Sequence, residues 1–497
     1  MNQLDLFGPS DEATSRVGEN RLDAILAGRE PEPDPEPVVD PATRHAIRRT
    51  ATLFALLPLS IILGVKAANL VGDPWLNAYG IGVLATTMVV MFVSFTYYED
   101  PAERQVLSDD EPLVSFMLAV KDEVAIIEVC VRSILDGSYR NVEVIVIDDA
   151  SSDGTSEILA NMAAQEDRLR VLTMDTNGGK KRALTAGART AKGDLLAFTD
   201  SDCVLAPDAL ERCVNAFLST PDLGALSGHA RALNADRNLL TRIQDVWYDG
   251  QFAISKAGES VFGAVSCVSG PLAVFRREAI LSYLPAWSSD QFLGRDFPFA
   301  TDRQLTGYVL GQRWRGMDLL RKYRDDPLVA SEAQPPRRWR VEYSRSARVW
   351  TNVPATTSGL FRQQVRWKKS FIRNLFFTGT FYWRIHPVTT LLYYAHVLWV
   401  FAAPVMAFRH LVWLPLHGAW LVTALYFAGV SLKGCVWAAA YAIQNPGDPR
   451  WVYRPLMNVI GSLALSWLLL WSIPTLRRGT WSREVHVGEI GLPVTSI

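Results

Sequence analysis

The chain has 497 residues, 49% of them hydrophobic and 20% charged, with 16 tryptophans. That is too apolar for an ordinary soluble enzyme and too charged for a bundle of spans, so it predicts membrane helices joined to a soluble domain. Fifty Lys and Arg stand against 51 Asp and Glu, a net charge of -1, which supplies no global field for a nucleic-acid partner. The five cysteines, Cys130, Cys203, Cys213, Cys267 and Cys435, contain no C-x-x-C pair and point to neither a zinc site nor a disulfide framework, which fits a reducing, cytosol-facing compartment.

Residues 1–43 are polar, acidic and Pro-rich, ending in the Glu-Pro and Asp-Pro alternation of 30–37. Such a stretch buries too little apolar surface to offset chain entropy, so a disordered tail is expected, and the pattern is not that of a signal peptide. Residues 44–100 read as a two-helix transmembrane hairpin. Arg44, Arg48 and Arg49 precede an apolar run at 51–71, the turn Gly72-Asp73-Pro74 follows, and a second run covers 75–98. The positive-inside rule sets both ends in the cytosol. Lys66 inside the first run is either a snorkelling side chain or a charge turned toward other helices.

From 111 to 343 soluble strand and helix patterns alternate. Short apolar runs at 113–120, 142–147 and 195–199 are separated by helix-like segments, the βαβ pattern of a parallel sheet covered by helices. No G-x-G-x-x-G follows a strand, which removes the main support for a dinucleotide oxidoreductase. Residues 344–386 are expected to hold amphipathic interface helices. Over 360–377, Phe361, Val365, Ile372, Leu375 and Phe376 fall near one face, with Arg362, Arg366, Lys368, Lys369 and Arg373 elsewhere, the pattern of a basic helix lying in the membrane interface. Residues 387–476 form a C-terminal membrane region with apolar runs at 388–408, 411–443 and 456–476. The last run has Arg450 and Arg454 on one side and Arg477, Arg478 and Arg483 on the other, so it is either a full span or an embedded segment with both ends inside. Residues 477–497 make a cytosolic tail.

Four clusters fall at expected strand ends or helix starts, where open α/β sheets bind ligands. Asp148 and Asp149 close the 142–147 run: they can accept from a nucleotide's N–H and hydroxyl groups, or simply shape a turn. Asp200-Ser201-Asp202 closes the 195–199 run, and two carboxylates at i and i+2 can share a hard divalent cation. Gly178-Gly179-Lys180-Lys181-Arg182 lies between them and reads as a diphosphate cradle or a solvated charge run. Asp302, at the head of a helix-like stretch, is a candidate general base or an N-cap.

The order of these clusters, with Val265-Ser-Cys267-Val-Ser269-Gly270-Pro271-Leu272, Phe292-Leu293-Gly294 and Gln363-Gln364-Val365-Arg366-Trp367, resembles the membrane-integrated processive glycosyltransferases of family 2, hyaluronan synthases most closely, with similarity to chitin and cellulose synthases. The resemblance runs from about 113 to 376. It implies an α/β GT-A (Rossmann-like) cytosolic domain set between transmembrane and interface helices, in a multi-pass integral membrane protein. It also implies Asp302 as catalytic base; Asp148, Asp149, Lys180, Lys181, Asp200, Gln363 and Arg366 toward the UDP-sugar; Cys267, Ser269, Gly270 and Trp367 toward the acceptor; and Asp200 with Asp202 on a Mg2+ or Mn2+ ion. The implied partners are UDP-sugar donors, the growing polysaccharide and the lipid bilayer, without nucleic acid.

Departures from the resemblance are also present. Where hyaluronan synthases carry G-D-D-R, this chain has Ala300-Thr301-Asp302-Arg303. Where they carry G-D-V-R-I-L-N, it has Gly228-His229-Ala230-Arg231-Ala232-Leu233-Asn234. The W-G-T-x-R gating element is met only by Arg478-Gly479-Thr480-Trp481-Ser482-Arg483. The expected activity is polymerisation of UDP-GlcNAc and UDP-GlcUA with translocation of the product. The alternatives are a single-donor chitin-like or single-sugar membrane β-glycosyltransferase and, from another class, a transporter or receptor with a regulatory nucleotide domain.

Overall fold

The computed structural model describes residues 74–478 and scattered positions between 57 and 68. The acidic tail, most of the first expected span and the tail from 479, with all of the gating-like element except Arg478, lie outside the described residues. The soluble part is built on strands Val114–Val120 (β1), Val142–Asp148 (β2), Leu169–Thr173 (β3), Leu195–Phe198 (β4), Cys203–Leu205 (β5), Leu223–Ala232 (β6) and Ala273–Arg276 (β7). A small hairpin of Gln291–Phe292 (β8) and Arg295–Asp296 (β9) precedes the long strand Arg340–Thr351 (β10). Eight strands form one sheet in the order β3-β2-β1-β4-β7-β6-β10-β5, with β8 and β9 apart from it.

The expected runs become β1, β2 and β4, each parallel to its neighbour. Val144, Ile145, Val146 and Ile147 are all fully buried, because helices cover both faces of this half of the sheet. The expectation of a parallel sheet holds for that half and for the β6–β10 pair, but not throughout. β7 runs antiparallel to both β4 and β6, and β5 antiparallel to β10. The cause is local: Phe198 at the end of β4 pairs with Ala273 at the start of β7, so β7 starts where β4 stops and can only run back.

The helices that matter here are Pro74–Tyr97 (α1), Ile127–Leu135 (α2), Thr155–Ala163 (α3), Lys180–Ala188 (α4), Ala209–Ser219 (α5), Leu239–Gly250 (α6) and Thr301–Gly311 (α7). They are followed by Thr357–Leu375 (α8), Pro387–Phe408 (α9) and Trp420–Gln444 (α10). α2 buries Ile127, Cys130, Val131 and Ile134, the i, i+3, i+4, i+7 stripe of a helix lying on a sheet. A reciprocal box of Asn238 and Thr241 starts α6, and the Thr356 hydroxyl accepts from Gly359 N to start α8.

Among the described residues, three helices are long and apolar enough to cross a membrane, Asn77–Glu103, Pro387–Leu416 and Trp420–Gln444. The apolar run expected at 411–443 is therefore divided: Gly418, at φ 78°, breaks it after Leu416. The run at 456–476 is not one straight helix. It starts as Arg454–Ile460, widens into a π turn at Gly461–Leu465 and resumes at Leu468–Ser472. The Lys66 side chain lies against α1, so close that a Cβ on Gly80 would come within 2.9 Å of its Nζ. Gly82 likewise admits Trp399 of α9. After α1, the Tyr98 hydroxyl donates to Tyr343 O at 3.0 Å, and Asp100 accepts from the N–H groups of Arg345 and Ser346 at 2.8 Å each. These bonds tie the span to β10.

α8 forms in the segment where an amphipathic interface helix is expected. Its buried positions are Leu360, Gln364, Lys369, Ser370, Ile372, Arg373 and Asn374, whereas Phe361 and Phe376 are exposed. The buried face is polar because it packs on charged groups of the soluble domain, which a sequence pattern does not display.

Candidate active site

The C-terminal ends of β1, β2 and β4 open toward one side, and the loops there are held by their own acids. Asp148, fully buried, accepts from Ser151 N at 2.9 Å and from the Ser156 hydroxyl. Asp149 accepts from Gly178 N at 2.6 Å and Gly179 N at 2.8 Å. Asp122, missed in the sequence, accepts from Ser152 N at 2.7 Å; burial pushes its carboxyl pKa up, but the Ser152 and Lys121 contacts outweigh that and leave it lowered. Both oxygens of Asp148 and of Asp149 therefore shape the rim. Gly179, at φ 80°, turns the chain into α4 in a conformation that suits glycine.

Asp200, Asp202 and Cys203 offer ligand atoms within 4.8 Å of one another. Cys203 is buried, and burial together with Asp202 pushes its thiol well up, so it stays protonated and the effective donors are two carboxylates. That set suits a hard ion such as Mg2+ or Mn2+. Asp200 is partly open and ion-paired with the Lys180 ammonium. Asp202 lies fully buried below it, accepting from the Thr351 hydroxyl at 3.4 Å and Asn352 N at 3.3 Å. The buried Asn352 side chain has no hydrogen-bond partner for either polar atom, an orphan that the hydration shell of an ion at this place would satisfy.

One segment, residues 265–272, joins this pair to Asp302. A Cβ on Gly270 would lie 3.0 Å from Asp200 Oδ2. Cys267 Sγ donates to Asp302 Oδ2 at 3.6 Å, and burial, with Asp302 beside it, pushes that thiol up to about 12. Asp302 stands in the first turn of α7 after Ala300, whose φ is 61°. The Ser370 hydroxyl of α8 accepts from Ala300 N at 2.9 Å, and Val268 N donates to the Thr306 hydroxyl at 2.8 Å. The head of α7 is thus clamped between the 265–272 segment and α8. The Lys256 ammonium, also missed in the sequence, contacts the hydroxyls of Ser227 and Ser269; burial pulls it down to about 8.

Lys180 and Lys181 part company. Lys181 is buried, donating to Asp290 at 3.2 Å, Phe297 O at 2.9 Å and Gln304 at 2.7 Å, and Arg373 of α8 grips the same Asp290. Adjacent helix residues point about 100° apart, so only Lys180 reaches the Asp200 side. Lys181, expected at the nucleotide, instead bolts α4 to α8 through Asp290, a residue that carried no signal in the sequence.

Gln363, Arg366 and Trp367 share a face of α8 by their i, i+3, i+4 spacing. Gln363 Oε1 is buried with no hydrogen-bond partner, and Arg366 is half-buried. The Trp367 ring lies 5.8 Å from Trp247 and 6.1 Å from Tyr248, at interplanar angles of 34° and 48°. Trp247 and Tyr248, both on α6, are site residues that the sequence analysis does not single out. The divergent motif at 228–234 faces elsewhere. Arg231 makes a two-pronged pair with Asp245 at 2.9 and 2.7 Å, and the His229 ring meets the Tyr343 hydroxyl at 2.6 Å.

A mixed sheet of the GT-A kind, with an acidic pair after β4 joined through the 265–272 segment to a carboxylate at the head of α7, defines the soluble part as a glycosyltransferase domain that uses a nucleotide-sugar donor and a glycan acceptor. Residues 115–284 match the Glycosyl transferase family 2 model. A hyaluronan synthase from Streptococcus pyogenes is 24% identical over 453 residues, covering 88% of this chain and 98% of the relative. An N-acetylglucosaminyltransferase from Azorhizobium caulinodans is 27% identical over 358 residues, 71% of this chain and 83% of that one. Among solved structures, the mannosyltransferase PcManGT from Pyrobaculum calidifontis, in complex with GDP-Man and Mn2+, superposes with a TM-score of 0.45 at 17% identity, over 80% of this chain and 99% of its own.

Proposed function

We propose that this protein is a processive, inverting polysaccharide synthase of the hyaluronan type, which polymerises UDP-GlcNAc and UDP-GlcUA and passes the product through its own membrane helices. Its domain at 111–343 would face the cytosol between the membrane helices of 44–100 and 387–476. The observation that carries this reading is the 265–272 segment, with Gly270 against Asp200 and Cys267 on Asp302. It sets an acidic pair suited to a diphosphate-bound cation within one loop of a carboxylate suited to deprotonate a hydroxyl.

In this reading Asp200 and Asp202 would hold Mg2+ or Mn2+, which would supply positive charge against the departing UDP. Lys180 exchanges Asp200 for the diphosphate, while Gln363 and Arg366 approach from α8. Asp149 acts by fixing the Gly178-Gly179 turn and Asp148 by fixing the loop after β2. Trp367, with Trp247, presents an aromatic face to the acceptor sugar, and Cys267, Ser269 and Gly270 line its approach. The acceptor hydroxyl passes its proton to Asp302 as its oxygen attacks the anomeric carbon, and the bond from that carbon to the diphosphate breaks with inversion.

The test is UDP release by the detergent-purified chain with Mg2+ or Mn2+, supplying the two donors separately and together and sizing the product before and after hyaluronidase. A large, digestible polymer formed only with both donors is expected. Turnover with UDP-GlcNAc alone would move the reading to the single-donor activity that the name of the Azorhizobium relative carries. Asp302→Asn should abolish transfer while UDP still binds; retained turnover would remove Asp302 as the base.

A further inference from the structure

Residues 343–447 contain no Asp or Glu and ten Lys and Arg. At the chain's average of 51 acids in 497 residues, a stretch of that length would hold about eleven. The positive-inside rule explains basic residues near helix ends, but it does not exclude acids and does not put a lysine midway along a span. Lys433 is there, half-buried near the middle of α10, where an ionisable side chain faces other helices or a wet cavity rather than lipid.

A row of basic side chains leads from Asp302 toward it. The Arg303 guanidinium stands 6.0 Å from the Phe371 ring of α8. His396 of α9 meets the other side of the row, its ring 5.7 Å from Phe371 and nearly perpendicular to it. Lys368, one turn before Phe371, is half-buried, and burial lowers the pKa of its ammonium. Arg303, Lys368 and Lys433 all lie within electrostatic reach of His396. Among the described residues, none of these four groups forms an ion pair. The acids at the head of the row are Asp302 itself and Glu259, which is taken up by the N–H and hydroxyl of Ser266.

A line of cations without counter-ions is costly unless the passing ligand brings the anions. A neutral glycan offers only hydroxyls and C–H faces, for which aromatic and amide side chains suffice. A polymer with a carboxylate on every second sugar would meet the cations in turn, held weakly at several sites and so free to advance. We propose that Arg303, Lys368, His396 and Lys433 line the start of the product's path and that this path takes a polyanion, a polysaccharide bearing sugar carboxylates. The proposal rests on the polymerase reading above and adds that the membrane segment itself selects an acidic product.

The experiment uses the full chain in lipid nanodiscs with UDP-GlcNAc and UDP-GlcUA together, comparing product length for wild type, K433R, K433M and K433E. K433R should keep the wild-type length, K433M should shorten the product severalfold, and K433E should shorten it by roughly tenfold or more, all with unchanged thermal unfolding. Wild-type length in K433M and K433E, or equal shortening in K433R, overturns the assignment. A carboxylate-free polymer from wild type overturns it while leaving the polymerase reading intact. No UDP release by wild type from any UDP-sugar removes that reading and this proposal with it.

Discussion

Replacing Asp290 with Asn tests the largest buried charge cluster of the candidate site. Its carboxylate is 4% exposed and serves Lys181, 6% exposed, and Arg373, 10% exposed. With Asp290 the cluster carries one net positive charge; with Asn it carries two, in a place that water does not reach. Removing one partner of a buried pair costs about 3–5 kcal/mol, and because Asn still accepts one hydrogen bond the lower end, about 3 kcal/mol, is expected. That corresponds to a fall in melting temperature of roughly 6–12 °C. The deficit depends on pH. Burial already pulls Lys181 down to about 8 from 10.5, so the lysine can shed its proton in the folded state and relieve the repulsion. Asp290→Asn should therefore be most destabilising near pH 6.5 and least near pH 9, read by tryptophan fluorescence during thermal unfolding. Adding Arg373→Gln to Asp290→Asn should recover part of the loss. A melting temperature unchanged within about 1 °C, or a deficit equal at both pH values, would refute the idea of a dry, charge-coupled bolt between α4 and α8.

Other consequences are separable. In the wild type Lys181 alone should make stability rise as pH climbs from about 8 to 10.5, because over that window the unfolded chain holds a proton that the folded chain has released; a flat profile in a Lys181→Met comparison would contradict it. Gly270→Ala places a Cβ 3.0 Å from Asp200 Oδ2 and should lower turnover by up to about a hundredfold through a displaced carboxylate, with little change in melting temperature; full activity would show that Asp200 has room to move. Asp202→Asn should reduce turnover more than about a hundredfold and abolish the dependence of UDP affinity on Mn2+, measured by calorimetry; preserved metal dependence would place the ion elsewhere. Trp247→Ala should raise the acceptor KM about three- to tenfold with little change in donor KM, and a change confined to the donor would remove Trp247 from the acceptor side.

Much of the candidate site is legible in the sequence because it is local. Asp200-Ser201-Asp202 follows an apolar run, and such a run in a parallel sheet ends at the ligand side; Gln363, Arg366 and Trp367 share a helix face by spacing alone. Readable from the residues alone are therefore the buried strands β1, β2 and β4, the acids at their ends, the basic pattern of α8 and the apolar lengths of α1 and α9. The remainder depends on contacts between distant segments. β7 is four residues long, too short to show a period, and its direction follows from where the 265–272 segment delivers it. Lys180 and Lys181 are indistinguishable as letters, yet one faces the acidic pair and the other the interior, since a 100° step on α4 meets Asp200 in one case and Asp290 in the other. The buried face of α8 is polar because its partners are Asp290 and the head of α7, and burial of charge depends on partners brought together over some 80 residues of chain, a distance at which no periodicity or spacing carries information.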